Sequence, residues 1–160
     1  MKKTVLIVVI TFLVGFVAGN AFWYLASPLW IDRVVAENIA ASETANIVAQ
    51  GTFVDADGVH RGRGTATIYR GGTGQYTLRL TDFEVTNGPD LKVWLVAESD
   101  IKSSDDVKAS EWLSLGQLKG NIGDQNYAIP ADTEVSKYQS VVIWCEQFGV
   151  LFSPAKLAAR

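Results

Sequence analysis

The chain carries one cysteine, Cys145, and one histidine, His60, and these two side chains bound most of the redox, metal and nucleophilic chemistry open to it. A lone thiol makes no intramolecular disulfide. Without a CxxC pair or a Cys/His cluster at zinc spacing there is no structural zinc site either. Triads, dyads and metal centres that need two imidazoles are excluded within one chain. A c-type haem is excluded because no CxxCH is present, and a blue-copper centre with an axial methionine is excluded because Met1 is the only methionine. Cys145 is left with two roles: a reactive or ligating thiol, or a small hydrophobic packing residue.

The stretch SVVIWCEQFGVLF, residues 140–152, frames that choice. By period two, Val141, Ile143 and Cys145 share one face of a strand, and Val142, Trp144 and Glu146 share the other. A reversal at Glu146 and Gln147 sets Cys145 opposite Phe148, Ile143 opposite Val150 and Val141 opposite Phe152. A longer loop ending near Gly149 instead pairs Cys145 with Val150. Either register puts the thiol at the rim of the core. No Lys or Arg adjoins it, and Glu146 raises a thiol pKa rather than lowering it.

Other residues of chemical interest are placed differently. His60 lies in the loop DGVHRGRG, where an imidazole is either solvated and capping or a partner for Cys145. Asp90 in NGPD is suited to bonding its own turn. Gly120, Asn121 and Gly123 in KGNIG resemble a backbone nest, but no strand-to-helix context makes it a phosphate site. Asp100, Asp105 and Asp106 lack the alternation of a calcium loop and read as a solvated face.

The elements that must position these residues follow from composition. At 160 residues with 48% hydrophobic content, the chain supports one ordinary core plus something small. Residues 1–31 open with Lys2 and Lys3, then an uncharged apolar run ending in the aromatic-rich FWYLASPLWI. A transmembrane signal-anchor with an aromatic belt fits this run, and cleavage after Ala21 to release a secreted protein is the alternative. In both, the lysines stay cytoplasmic and the remainder is extracytoplasmic. Lys and Arg total 14 against 17 Asp and Glu, and with two lysines before the run the remainder is more acidic still. That balance argues against a nucleic-acid partner. Residues 32–50, rich in Ala, Glu and Asn, are expected to form a stalk or linker, marginally helical, reaching on the order of 25 Å if fully helical. From Gly51 to Arg160 the pattern is strand and turn: TATIYR, a glycine-rich reversal at Gly71–Gly74, YTLRL, the turn TNGPDL, the buried strand LKVWLV, a short helical or irregular piece over 103–110, WLSLG and the pair around Cys145. The expected fold is all-β, an antiparallel sandwich or barrel of about eight strands behind one N-terminal transmembrane helix.

The segment from Gly51 to Leu157 also resembles the DM-thirteen domain family. The resemblance rests on GTF followed by His60 and Gly64, on LRLTDFEVTNGPDLKVWL, on LGQLKGNIGDQNYAIP and on YQSVVIWCEQFGVLFSPAKL. It implies electron transfer or oxidative modification at the cell surface. The family's characteristic cysteine corresponds to Cys145, acting as a bare redox thiol or as a ligand to a group such as haem, with His60 as a possible partner. The cofactor and the enzymatic status stay open. Two readings result: a membrane-anchored thiol-redox or electron-transfer module that meets a redox partner protein, or a binding and adhesion module facing a cell-envelope component, with Cys145 as core. Solvent access at Cys145 with His60 beside it favours the first, and an exposed aromatic row favours the second.

Overall fold

The computed structural model describes residues 2–27, 30–44 and 46–160. Helix α1 spans Lys2–Ala26 and is apolar throughout its body. By length and composition its Lys2–Tyr24 stretch is enough to cross a membrane.

Behind it lie two sheets. The larger has the order β1-β7-β4-β3-β2-β10, built from β1 (Val34–Ala36), β2 (Asn46–Thr52), β3 (Gly62–Arg70), β4 (Tyr76–Val85), β7 (Ile122–Ile129) and β10 (Ala158–Ala159). The smaller has the order β6-β5-β8-β9, from β5 (Leu91–Val96), β6 (Trp112–Gln117), β8 (Ser140–Cys145) and β9 (Val150–Lys156). The sheets remain separate, so the fold is a sandwich and no barrel closes. Two strands beyond the expected eight are short edge pieces, β1 and β10. Ala66, Ile68, Leu78 and Leu80 from one sheet meet Val93, Leu95, Val141 and Ile143 from the other in the main core. This is what strict alternation along β3, β4 and β8 demands.

The smaller sheet is also covered on its outer face. Trp94, Val142, Trp144 and Leu151 pack there with Ile101 and with Val107 of α2 (Ser104–Ala109). α2 starts at a capping box in which Ser103 and Asp106 satisfy each other's backbone N–H groups. Apart from Lys92, LKVWLV therefore reads as apolar on both faces, because it is buried on both.

Residues 33–50 overturn one expectation. Instead of a marginal helical stalk they form β1, a single 3₁₀ turn at Ala41–Glu43 and β2; Ala45, in the same stretch, lies outside the described residues. β1 pairs in parallel with β7, Val34 opposite Ile122 and Val35 opposite Gly123. The reason is tertiary. Local helix propensity here is weak, and an available sheet edge offers each backbone group a partner that a lone short helix in water would not hold.

Candidate functional site

Cys145 ends β8, with Leu91 of β5 on one side and Val150 of β9 on the other. Of the two registers open from sequence, the longer loop is the one that forms. Trp144 then faces Leu151 and Ile143 faces Ser153, which leaves Phe152 as the extra residue of a bulge. Both faces of β8 are as expected: Val141, Ile143 and Cys145 point into the main core, Val142 and Trp144 away from it.

The thiol is not at an open rim. Cys145 is 1% exposed, sealed by the loop of residues 146–149, whose first three residues are themselves exposed. Its S–H donates to the carbonyl of Pro89 at 3.0 Å, and the nearby backbone amides of Phe148 and Gln147 favour the thiolate. The loop is fastened at both ends: Gly149 N–H donates to Cys145 O at 2.9 Å and Glu146 N–H to Asp90 O at 3.1 Å. Gly149 turns at φ +62° and Asp90 at +53°; glycine takes the left-handed region freely, and aspartate is one of the few other residues that tolerate it. Outside the loop, Lys92 Nζ bridges Asp90 (2.9 Å) and Glu146 (3.5 Å). Burial, and then the Asp90 charge, push the thiol above its ordinary value, while the Phe148 and Gln147 N–H groups pull part of the way back. At neutral pH the group is a protonated, hydrogen-bonded, covered thiol.

His60 stands at the same end of the sandwich without touching Cys145 by a hydrogen bond. Its Nδ1 lies 2.7 Å from Asp57 Oδ2, and Asp57 Oδ1 accepts from the N–H groups of Val59 and His60, each at 2.7 Å. The hydrogen bond with the His60 side chain, first among these, holds the Asp57 carboxyl down to about 2. The imidazole lies against Phe152, ring centroids 4.4 Å apart. The Cε1–Cζ edge of that ring fills the space above Gly88, where a Cβ would sit 2.6 Å from it. Phe152 thus packs against both His60 and the turn that holds the thiol.

The donor set does not fit a haem or a metal as arranged. The sulfur is buried and committed to Pro89 O, His60 is committed to Asp57, and among the described residues there is no group of three or more His, Cys, Asp or Glu placed to hold a metal ion.

The KGNIG segment is structural. A Cβ on Gly120 would lie 2.3 Å from Arg33 O and one on Gly123 1.9 Å from Val35 O, so these glycines exist to let β1 pass over them. Gln125, fully buried, donates to Gly120 O at 2.7 Å and accepts from Tyr127 Oη at 2.8 Å. Asn121 donates to Asp32 Oδ1 at 2.8 Å, as does Asn87. Asp106 caps α2, and Asp100 and Asp105 pair with Lys102 and Lys108.

Sequence reasoning missed Pro89, Lys92, the packing of Phe152 on His60 and Gly88, and the two loop amides. The turn NGPD was visible, but only the β5–β8 register, with Leu91 opposite Cys145, brings it to the sulfur. An open cleft of about 790 Å³ runs beside this turn, lined among others by Ile31, Asp32, Asn87, Pro89, Asp90 and Gln147. Residues 52–157 match the model of a family described as Electron transfer DM13. No curated protein and no solved structure matches the chain.

Proposed function

We propose, because the chain belongs to the electron transfer DM13 family, that its β-sandwich is an outward-facing electron-transfer module held at the membrane by α1, with Cys145 as the group that changes redox state. The supporting observation is the setting of the sulfur: its S–H is held on Pro89 O at 3.0 Å beneath the loop of residues 146–149, and the Gln147 and Phe148 amides of that loop favour a thiolate. The chemistry this setting serves is thiol–disulfide exchange with a partner protein. The Sγ proton leaves, Sγ bonds to one sulfur of the partner's disulfide, and the other partner sulfur departs as a thiolate that takes up a proton. Sealing by residues 146–149 keeps the resting thiol reduced and protonated until that loop is displaced. The anchor is supported by the unbroken apolar α1 and by Trp23 at its C-terminal part.

The test is alkylation of the full chain in detergent with a small thiol reagent, folded and in urea, beside a Cys145→Ser variant assayed for electron or disulfide exchange. Reaction in the folded state, and loss of exchange in the variant, are expected. A thiol that reacts only on global unfolding, together with unchanged exchange in the variant, overturns the reading. Retention in the membrane after high-salt washing, with an intact N-terminus, is expected for the anchor; sequencing that starts at Phe22 would sink it.

A second reading, a cell-envelope binding module with Cys145 as core, is favoured by the 1% exposure of the thiol and by an aromatic stack on the other face of the smaller sheet. Trp112, 47% exposed, lies flat on Trp94 at 4.0 Å, and Trp94 stacks on Trp144 at 5.3 Å. The buried Trp94 indole N–H lacks a partner. Loss of ligand binding in Trp112→Ala, with exchange activity absent, is the outcome that selects this reading.

A further inference from the structure

The chain leaving α1 is fastened to the sandwich sooner, and at a more particular place, than a stalk would allow. α1 ends at Ala26, and Asp32 already accepts from Asn87 and Asn121 at 2.8 Å each. Arg33 N–H donates to Asn121 Oδ1 at 2.6 Å, and β1 begins at Val34. Even fully extended, the connection from Ala26 to Asp32 spans only on the order of 20 Å.

Asp32 is not fastened to just any part of the domain. Asn87 belongs to the turn that gives Pro89 O to the thiol. Gln147, from the loop that seals Cys145, lines the same cleft as Ile31 and Asp32. β1 then runs away from this end, parallel to β7, and the chain reaches the β3–β4 turn within the 3₁₀ turn, where Gly72 N–H donates to Ser42 O at 2.9 Å. The two ends of the sandwich are separated by the length of β4, Tyr76–Val85, about 30 Å at strand rise.

The two ends also differ in what their loop tips expose. Loop tips at the Cys145 end carry Val59, 74% exposed, and Phe148, 65% exposed. At the far end, the turns Gly71–Gln75 and Pro130–Glu134 present no large exposed hydrophobic side chain, and the exposed Ile47 and Trp112 there belong to strands β2 and β6. Isolated apolar tips flanking an anchor exit are what an interfacial layer accepts, since each is desolvated there without a protein partner.

We infer that the sandwich sits with its Cys145 end down on the outer leaflet, Val59 and Phe148 dipping into the lipid interface and the Gly71–Gln75 turn pointing away. This rests on the anchor reading of α1. A redox partner of Cys145 then approaches along the membrane surface rather than from bulk solvent.

The test uses the full chain in vesicles of phosphatidylcholine with a minor share of phosphatidylglycerol, carrying a nitroxide-headgroup lipid. Val59→Cys, Phe148→Cys and Thr73→Cys are each labelled with a fluorophore, the parent chain supplying the blank for Cys145. Labels at 59 and 148 are expected to be quenched several-fold more than the label at 73. Equal quenching at all three, or stronger quenching at 73, overturns the orientation. The Val59 variant suffices alone should Phe148→Cys disturb the loop. Flotation separates the two failures: a chain that does not float with the vesicles loses the anchor and the orientation together, whereas a floating chain quenched at 73 loses only the orientation.

Discussion

At the seam between β1 and β7, charged side chains hold two pieces of chain together; at the end of β8, backbone groups hold a single thiol. Lys119 Nζ lies 2.8 and 2.9 Å from the two oxygens of Glu37 and 2.7 Å from Asn126 O. Arg79 bonds Glu37 O, Asn126 Oδ1 and Asp124 Oδ2 at 3.1, 2.9 and 2.5 Å. Each of these groups is paired with another of the set. The Cys145 end is charged as well, with Lys92 between Asp90 and Glu146 and His60 on Asp57, yet it alone encloses a titratable sulfur beneath a short loop. The charges of the seam are spent on one another to join two pieces of chain, and the Cys145 end keeps a thiol bonded to a backbone carbonyl.

Several changes break or sharpen that contrast. Phe152→Ala removes the ring that packs against both His60 and Gly88 and leaves a cavity in the main core; a loss of about 3–5 kcal/mol is expected from denaturant unfolding of the detergent-solubilised chain. A loss below about 1 kcal/mol would mean that the thiol's end is not built around this ring. Gly123→Ala tests the seam. Its φ of +99° alone costs an L-residue about 1–2 kcal/mol, and the 1.9 Å approach to Val35 O should bring the total to about 2–3 kcal/mol by displacing β1. A cost confined to the smaller figure would show that β1 moves freely.

Cys145→Ser should destabilise by only about 1 kcal/mol, because the hydroxyl inherits Pro89 O as an acceptor; an unpartnered buried hydroxyl would cost about 1–3 kcal/mol. For the seam, pH is the finer probe. Burial raises the Glu37 pKa, but hydrogen bonds from Lys119 and Asn126 and the charges of Lys119 and Arg79 outweigh it, so the net value is below the ordinary 4.5. The unfolded chain then binds the proton first as pH falls. The stability that Glu37 contributes is present above 4.5 and is lost as pH drops through the folded value. Glu37→Gln should flatten this part of the stability–pH curve, and an unchanged curve would remove Glu37 from the joint. Smallest of all, Glu134→Ala in an exposed loop should cost about 0.5 kcal/mol or less.

The comparison also shows where a sequence can be read. Alternation over Val141–Cys145 is a local, period-two property, so the faces of β8 were legible and the structure agrees with them. The break in strand pattern over 103–110 was legible too, but not that it is a helix: Asp106, expected on a solvated face, instead forms a capping box with Ser103. β1 was not: VVA is three residues long and flanked by helix-compatible Ala, Glu and Asn, and nothing in it announces a parallel edge strand. Gly120 and Gly123 looked like an anion nest because glycine spacing records only that something approaches closely, not whether it is a phosphate or another strand.

What the sequence determined by itself was set by counts and short-range pattern: one thiol, one imidazole, an apolar N-terminal helix, an all-β domain, and the inward face for Cys145. Tertiary structure alone decided that the thiol is covered rather than at an open rim, that Pro89 O accepts its hydrogen bond, that Phe152 packs against both His60 and Gly88, and that Asp32 and Arg33 tie the chain after α1 to this end of the sandwich. Each of those depends on contacts between residues that are distant along the chain. Their strength comes from strand register and from which backbone groups remain unpaired after the sheets form, quantities that no local window contains.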